Sequence, residues 1–322
     1  LNASDLSATH RLAIHRIEEA STKIDPVFLR TPQYSNESLN EALNTTVILK
    51  IETLNPLRSF KGRGADFLVS QTATNAPLIC ASAGNFGQAM AFACRKRKIN
   101  LTVYASTNAN PLKIERMRKL GAEVILHGED FDAAKVEAKR AAADSGTRFV
   151  EDSLDIETLV GSGTIGLELL EVPQQIDVLL IALGNGALIN GIGRIFKERS
   201  PQTRIIAVQA AGAPAMVESW QNNTIVTKDR VSTIADGIAV RIPVPQALQD
   251  MRGIVDDALL VQEDSILQAM KLLHLHAGIV TEPSGAVGIA AILENRKFME
   301  GKTIATIICG GNVTGQQLQA WF

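Results

Sequence analysis

The sequence predicts an α/β protein in which helices cover both faces of parallel sheet. Two observations carry this. Short apolar, β-branched runs alternate with longer amphipathic segments through most of the 322 residues. The runs have few polar breaks, which marks strands buried on both faces rather than one. In chain order, strands are expected over 47–51 (VILKI), 78–81 (LICA), 101–105 (LTVYA), 123–126 (EVIL), 178–182 (VLLIA), 205–209 (IIAVQ) and 303–309 (TIATIIC). Helices are expected between them over 62–72, 85–96, 111–120, 130–143, 156–170, 187–197, 265–276 and 284–295. The stretch 78–126 is the clearest βαβαβ unit, and Lys119-Leu120-Gly121-Ala122-Glu123-Val124 reads as helix end, glycine cap and next strand. Over 212–260 the alternation fades into loops and short elements, where site residues are often carried.

Composition bounds the function. The chain is 46% hydrophobic and 20% charged, enough apolar content for a sizeable core and not that of a disordered chain. Lys plus Arg number 32 against 34 Asp plus Glu, a formal charge of −2, so no overall field favours nucleic acid or an anionic membrane. Aromatics at 4% argue against base-stacking platforms. Cys80, Cys94 and Cys309 are too scattered for a disulfide framework or a Cys-rich zinc site and fit a reducing, cytoplasmic setting. No apolar run approaches the ~18 residues of a bilayer span, and the N-terminal segment lacks the basic-then-apolar order of a signal peptide. At roughly 150 residues per domain the length allows two domains or one large one. No Pro/Gly/Ser-rich linker separates halves, so two domains would exchange the chain more than once.

Four loops concentrate the chemistry. In Ser59-Phe60-Lys61-Gly62-Arg63-Gly64, a lysine stands where a helix begins. The positive end of the helix dipole disfavours a second cation there, and a neutral lysine is the nucleophile that forms Schiff bases. A solvated surface lysine is the plain alternative. Ser82-Ala83-Gly84-Asn85 follows a strand and opens a helix, exposing backbone N–H groups that suit a carboxylate or phosphate; an ordinary tight βα turn would look the same. Gly184-Asn185-Gly186-Ala187-Leu188 repeats that arrangement. It is not a dinucleotide loop, because Ile189 stands where the third glycine belongs and Gln209 where an acidic ribose ligand belongs. Cys309 ends the last strand, before Gly310-Gly311-Asn312, where ligands bind in open sheets. A buried small hydrophobe is its bland reading. The five histidines fall in none of these loops, which discounts a His-based metal site and a Ser-His-Asp triad.

A phosphorylated aldehyde cofactor would explain these features together: a lysine for the aldehyde, a glycine loop for the phosphate, and a group for a ring nitrogen. The ordered motifs SFKGRGA, SAGNFGQA, GNGALINGIG, TIADGIAVR, EPSGA and CGGN resemble those of the fold-type II pyridoxal-phosphate (PLP) enzymes, specifically the serine/threonine dehydratase (ammonia-lyase) group. The resemblance runs from about Arg30 to Asn312. It implies two open, mostly parallel twisted sheets with flanking helices, as in the tryptophan synthase β fold. Residues 1–52 and 148–322 would form a large PLP-binding domain, and 53–147 a small substrate-side domain.

By the same resemblance, Lys61 is the Schiff-base lysine and proton shuttle at Cα. Phe60 packs on the cofactor ring, and Asn85 bonds its 3′ oxygen. Gly184, Asn185, Gly186, Ala187 and Leu188 hold the phosphate. Cys309 faces the pyridine nitrogen, and Glu282 lies beside the ring. Ser82, Ala83, Gly84 and Asn85 bind the substrate carboxylate, and Gly237 with its neighbours closes over the amino-acid end. The implied reaction is α,β-elimination of a β-hydroxy amino acid to a 2-oxo acid and ammonia, by a homodimer, with the cofactor phosphate protonating the leaving hydroxyl.

Departures from the group's pattern sharpen the expectations. Ala83 replaces the serine that reprotonates the opposite face in racemases, which favours dehydratase chemistry. Gln209 replaces the Glu ligand of metal-dependent members, so no essential divalent metal is expected there. Arg58 replaces a customary glycine and Phe86 a common histidine, which leaves the substrate side chain open among serine, threonine, 3-hydroxyaspartate and phenylserine. Asn185 and Ala187 replace loop glycines, which requires ordinary backbone angles at both. β-Replacement or threonine-synthase chemistry is the alternative, disfavoured by Gly62 where those relatives carry Asp. A non-catalytic binding protein is disfavoured by the retained Lys61, Asn85 and glycine loop.

Overall fold

The computed structural model describes residues 10–322; the signal-peptide expectation bears in part on residues 1–9 and lies there outside the described residues. Two sheets form. The larger has the order β1-β2-β10-β7-β8-β9, with β1 (Gln33–Ser35), β2 (Thr46–Ile51), β7 (Val178–Ala182), β8 (Arg204–Ala210), β9 (Asp257–Val261) and β10 (Thr303–Ile308). All its neighbours are parallel except β1 on β2. The smaller is wholly parallel, β5-β4-β3-β6, with β3 (Leu78–Ala81), β4 (Leu101–Ala105), β5 (Glu123–Leu126) and β6 (Arg148–Val150). Strands β3 and β7 are buried at every position, as their unbroken apolar runs require. The small sheet extends through Val150, three residues past the boundary at 147 that the sequence suggests.

The first eight helices in chain order are α1 (Ile14–Lys23), α2 (Glu37–Leu43), α3 (Lys61–Ser70), α4 (Asn85–Arg97), α5 (Pro111–Lys119), α6 (Phe131–Ser145), α7 (Ile156–Leu169) and α8 (Ala187–Arg199). After them come α9 (Ala215–Asn222), α10 (Pro245–Met251), α11 (Glu263–Ala277), α12 (Pro283–Glu294), α13 (Arg296–Met299) and α14 (Gly315–Trp321). The stretch 212–260 holds α9, a 3₁₀ turn at Asp236–Ile238, α10 and the edge strand β9.

Helix α7 joins the two cores. Leu159 and Val160 belong to the core around the small sheet, Ile165 and Leu169 to that around the large one. It is apolar on nearly all sides and packs on α3 and α8. A glycine of α8 sets one of these approaches: a Cβ on Gly191 would meet the carbonyl oxygen of Leu159 of α7 at 2.3 Å.

A buried ion quartet lies where β2, α3 and α7 meet. The Arg63 guanidinium donates to both oxygens of Glu52, at 2.7 and 2.9 Å, and to both of Glu168, at 2.5 and 2.9 Å. Lys50 Nζ donates to Glu168 at 2.5 Å and to the Thr31 carbonyl at 2.8 Å. Two cations and two anions with these donors filled are the condition under which buried charge is tolerated.

Candidate active site

A cleft of about 580 Å³ opens between the carboxyl ends of the two sheets. Phe60, Lys61, Ser82, Ala83, Gly84, Asn85, Gly184, Asn185, Gly186, Ala187, Leu188, Gly237, Glu282 and Cys309 all line it. Residues distant in sequence meet there because β2, β3, β7 and β10 end at one level and each passes into a loop or helix start.

Its floor is a crossing of two loops. Ser59 and Gly310 form an isolated antiparallel bridge. Phe60 N donates to the Cys309 carbonyl at 3.0 Å, and Gly311 N to the Arg58 carbonyl at 2.9 Å. The Asn55 side chain shapes the approach, donating to the Glu52 and Ser59 carbonyls and accepting from Leu57 N. Arg58 takes a left-handed φ of 50°, its side chain is exposed, and it does not line the cleft. The specificity role suggested by its bulk therefore has no support: the position demands a backbone angle.

Lys61 is the first residue of α3. Its Nζ donates to Asp152 Oδ2 at 2.6 Å and lies 4.6 Å from the centre of the Phe60 ring. Asp152 lies within the β6–α7 turn beside Ser153, whose hydroxyl accepts from Ala187 N at 3.2 Å. Consecutive residues thus touch the lysine and the glycine loop.

That loop opens α8. Gly186 caps the helix with φ 95°, an angle that suits glycine. Asn185 and Ala187 are absent from the positive-φ residues, so replacing glycine costs no backbone strain at either. The first N–H groups of the 13-residue helix have no partners within the helix, and its dipole adds positive potential. Asn185 Oδ1 is buried without a hydrogen-bond partner. A phosphate fits this cradle.

The opposite wall is a polar network. Asn85 Nδ2 donates to Glu282 Oε1 at 2.9 Å, and Asn312 Nδ2 donates to Asn85 Oδ1 at 2.9 Å. Asn312 N donates to Glu282 Oε2 at 3.1 Å. Burial raises the Glu282 pKa, with the Asp236 carboxylate adding to it against Lys113, Asn85 and Asn312. Burial likewise pushes the Cys309 thiol up, so it stays protonated. Ser82 Oγ accepts from Gly84 N and Gly87 N at 3.2 and 2.9 Å, which leaves its proton free for a ligand.

Two ion-pair groups cross the cleft mouth. Lys113 of α5 pairs with Asp236 at 2.5 Å. Arg241 pairs with Asp130 and Asp132 at the start of α6, at 3.0 and 2.6 Å. Asp152, Ser153 and Lys113 are not among the residues the sequence singles out, and Asn312 enters there only as the end of the CGGN motif. The signal for Asp152 and Ser153 is position, just beyond β6 at the carboxyl side of the small sheet.

A lysine and an anion cradle that line one cleft between parallel sheets define an α/β enzyme that works through a phosphorylated carbonyl cofactor. The comparisons agree. The family model described as "Pyridoxal-phosphate dependent enzyme" matches residues 24–310, and the chain belongs to that family. It is 34% identical over 320 residues to a catabolic L-threonine dehydratase of Staphylococcus aureus, covering 97% of this chain and 92% of the relative. It superposes on the processed form of threonine deaminase isoform 2 from Solanum lycopersicum with TM-score 0.86 and 30% identity, over 95% of this chain and 87% of that one. Maize serine racemase gives TM-score 0.89 and 29% identity over 95% of each chain. The chain is a pyridoxal-phosphate-dependent enzyme. No described helix is long and apolar enough to cross a membrane.

Proposed function

We propose that the chain eliminates water from a β-hydroxy amino acid of the L-threonine or L-serine type, bulkier members such as phenylserine and 3-hydroxyaspartate included, and yields a 2-oxo acid and ammonia. One observation carries this reading: the dipeptide Asp152-Ser153 touches both Lys61 Nζ and the Ala187 amide. The lysine and the anion cradle are thereby tied to one short turn.

Pyridoxal phosphate, when bound, supplies the electron sink that makes the substrate Cα–H acidic. The protein's part is positioning and proton handling. Lys61 holds the cofactor and carries the Cα proton on Nζ. Gly184 to Leu188 would hold its phosphate through backbone N–H groups. Of the residues lining the cleft, Asn85 would bond the cofactor's 3′ oxygen, Phe60 would pack on its ring, Glu282 would lie beside it and Cys309 would face its nitrogen. A protonated thiol imposes no charge on that nitrogen, which suits elimination better than chemistry needing a persistent carbanion. Ser82, Ala83, Gly84 and Asn85 bind the substrate carboxylate, and the turn at Gly237 closes over it. On this reading 53–147 is the substrate-side lobe, and the enzyme acts as a cytoplasmic homodimer.

No divalent metal is needed. Gln209 is fully buried and spent on structure, accepting from Val217 N at 3.1 Å. Racemisation is a second reading, favoured by the likeness to maize serine racemase. Ala83 weighs against it, since it brings no acid to the face opposite Lys61.

The test is release of 2-oxo acid by the PLP-loaded chain from L-serine, L-threonine, L-threo-3-hydroxyaspartate and L-threo-phenylserine, with and without EDTA. Turnover of at least one, indifferent to EDTA, is expected. Intact Schiff-base absorption with no 2-oxo acid from any would overturn the substrate class, and D-amino acid formation would support the racemase reading.

A further inference from the structure

We propose that Asp152 is the positioning residue of Lys61: its carboxylate orients Nζ and stabilises the ammonium formed when Nζ takes the substrate's Cα proton. The proposal rests on the reading of Lys61 given above. The two groups stand 2.6 Å apart, with side chains 18% and 24% exposed, so solvent screens them less than it would a surface pair.

Asp152 differs from the structural carboxylates nearby. Glu52 and Glu168 use both oxygens on Arg63. Asp152 uses one oxygen on Lys61, while its Oδ1 is buried with no hydrogen-bond partner. A buried carboxylate oxygen left unpaired is unfavourable, and such groups gather where function requires them.

Its loop is fixed from every side. Glu151 N donates to Asp155 Oδ2 at 2.7 Å, and Ser153 N to Thr158 Oγ1 at 3.1 Å. Ser153 sits in the left-handed region at φ 69°, and Glu151 is pinned by Lys135 and Lys139. Asp152 is therefore preorganised rather than drawn in by the lysine.

The balance is simple. Neutral Nζ takes H⁺ from Cα and becomes an ammonium, while the C–H electron pair stays with the substrate carbon. Asp152 Oδ2 accepts a hydrogen bond from that ammonium, and no proton passes to it. Asp152→Asn keeps the shape and removes the charge. In the cofactor-free enzyme the ion pair must be given up before Nζ can bond a carbonyl carbon, so the same variant should take up cofactor faster.

The test compares holoenzyme and apoenzyme of the unaltered chain with Asp152→Asn, Asp152→Glu and Asp152→Ser. Cofactor content and Schiff-base absorption should persist. Cα hydrogen exchange of L-alanine in D₂O, which needs no leaving group, should fall by roughly 10–100-fold in Asp152→Asn. The primary isotope effect on elimination with the 2-deuterated substrate should rise, and Asp152→Glu should recover part of the loss. Uptake of pyridoxal phosphate by the Asp152→Asn apoenzyme should quicken. Unchanged exchange and isotope effect with Schiff base intact would overturn the proposal. So would loss of cofactor from all three variants, which would make Asp152 a scaffold group. Schiff-base absorption surviving in Lys61→Ala would instead overturn the reading of Lys61 itself.

Discussion

Gly64 and Gly161 lie back to back where α3 crosses α7: a Cβ built on Gly161 would stand 2.5 Å from the Cα of Gly64. Neither helix can admit a side chain there without moving, and α3 begins with Lys61.

Gly161→Ala is therefore expected to act at a distance. Overpacking against backbone should cost about 1–3 kcal/mol of stability. The displaced helix should also weaken cofactor retention. Thermal unfolding and equilibrium dialysis of pyridoxal phosphate read the two effects. A variant with unchanged Tm would mean that the helices slide apart freely.

Arg58→Gly should stabilise the protein. The left-handed φ of 50° costs an L-residue roughly 1–2 kcal/mol, which glycine avoids at the expense of a more flexible unfolded chain. A net gain of about 0.5–1 kcal/mol in urea unfolding is expected, with kinetics unaltered because the side chain is exposed. A lower urea midpoint would contradict the strain assigned to this position.

Glu168→Gln should expose the weight of the buried quartet. Burial alone would raise the Glu168 pKa, but Arg63 and then Lys50 pull it below the ordinary 4.5. A lowered carboxylate pKa stabilises the fold above the unfolded-state value, and that contribution fades as pH falls through the folded-state value. The variant should lose about 3–5 kcal/mol near neutrality, and the gap to the unaltered protein should narrow in acid below pH 4.5. A gap independent of pH would show that shape, not charge, is what Glu168 contributes.

Lys61→Ala should lose the Schiff-base absorption and reduce elimination by about 10³-fold or more. Cofactor held through the glycine loop alone should remain detectable by dialysis. Residual turnover near that of the unaltered enzyme would place the catalytic base elsewhere.

How much of this was written in the residues depends on how local each signal is. Strands 78–81, 101–105, 123–126 and 178–182 coincide with β3, β4, β5 and β7, because continuous apolar runs have few other places to go. Three strands are not legible. β1 and β6 have three residues each, and β9 is an edge strand with an irregular burial pattern, so their pairing comes from neighbours rather than from periodicity. The N-terminal helices α1 and α2 are missed too, although Asn36 caps α2 by accepting from Leu39 N at 2.9 Å. In the site, the glycine loops stand out because the backbone itself is the ligand there. Asp152 does not: amid Glu151, Asp152 and Asp155, an acid facing a lysine looks like an acid facing water until the fold brings Lys61 from 91 positions away.

The bridge between Ser59 and Gly310 has a consequence for how such a cleft diversifies. Lys61 and Cys309, one beside each strand of that crossing, are gauged against each other by main-chain bonds that no side-chain replacement alters. The floor behaves as a caliper set to one cofactor. Across the mouth the walls are tied by side-chain pairs, Lys113 with Asp236 and Arg241 with Asp130 and Asp132. Substrate preference can therefore drift through single substitutions on the walls while the chemistry beneath stays calibrated.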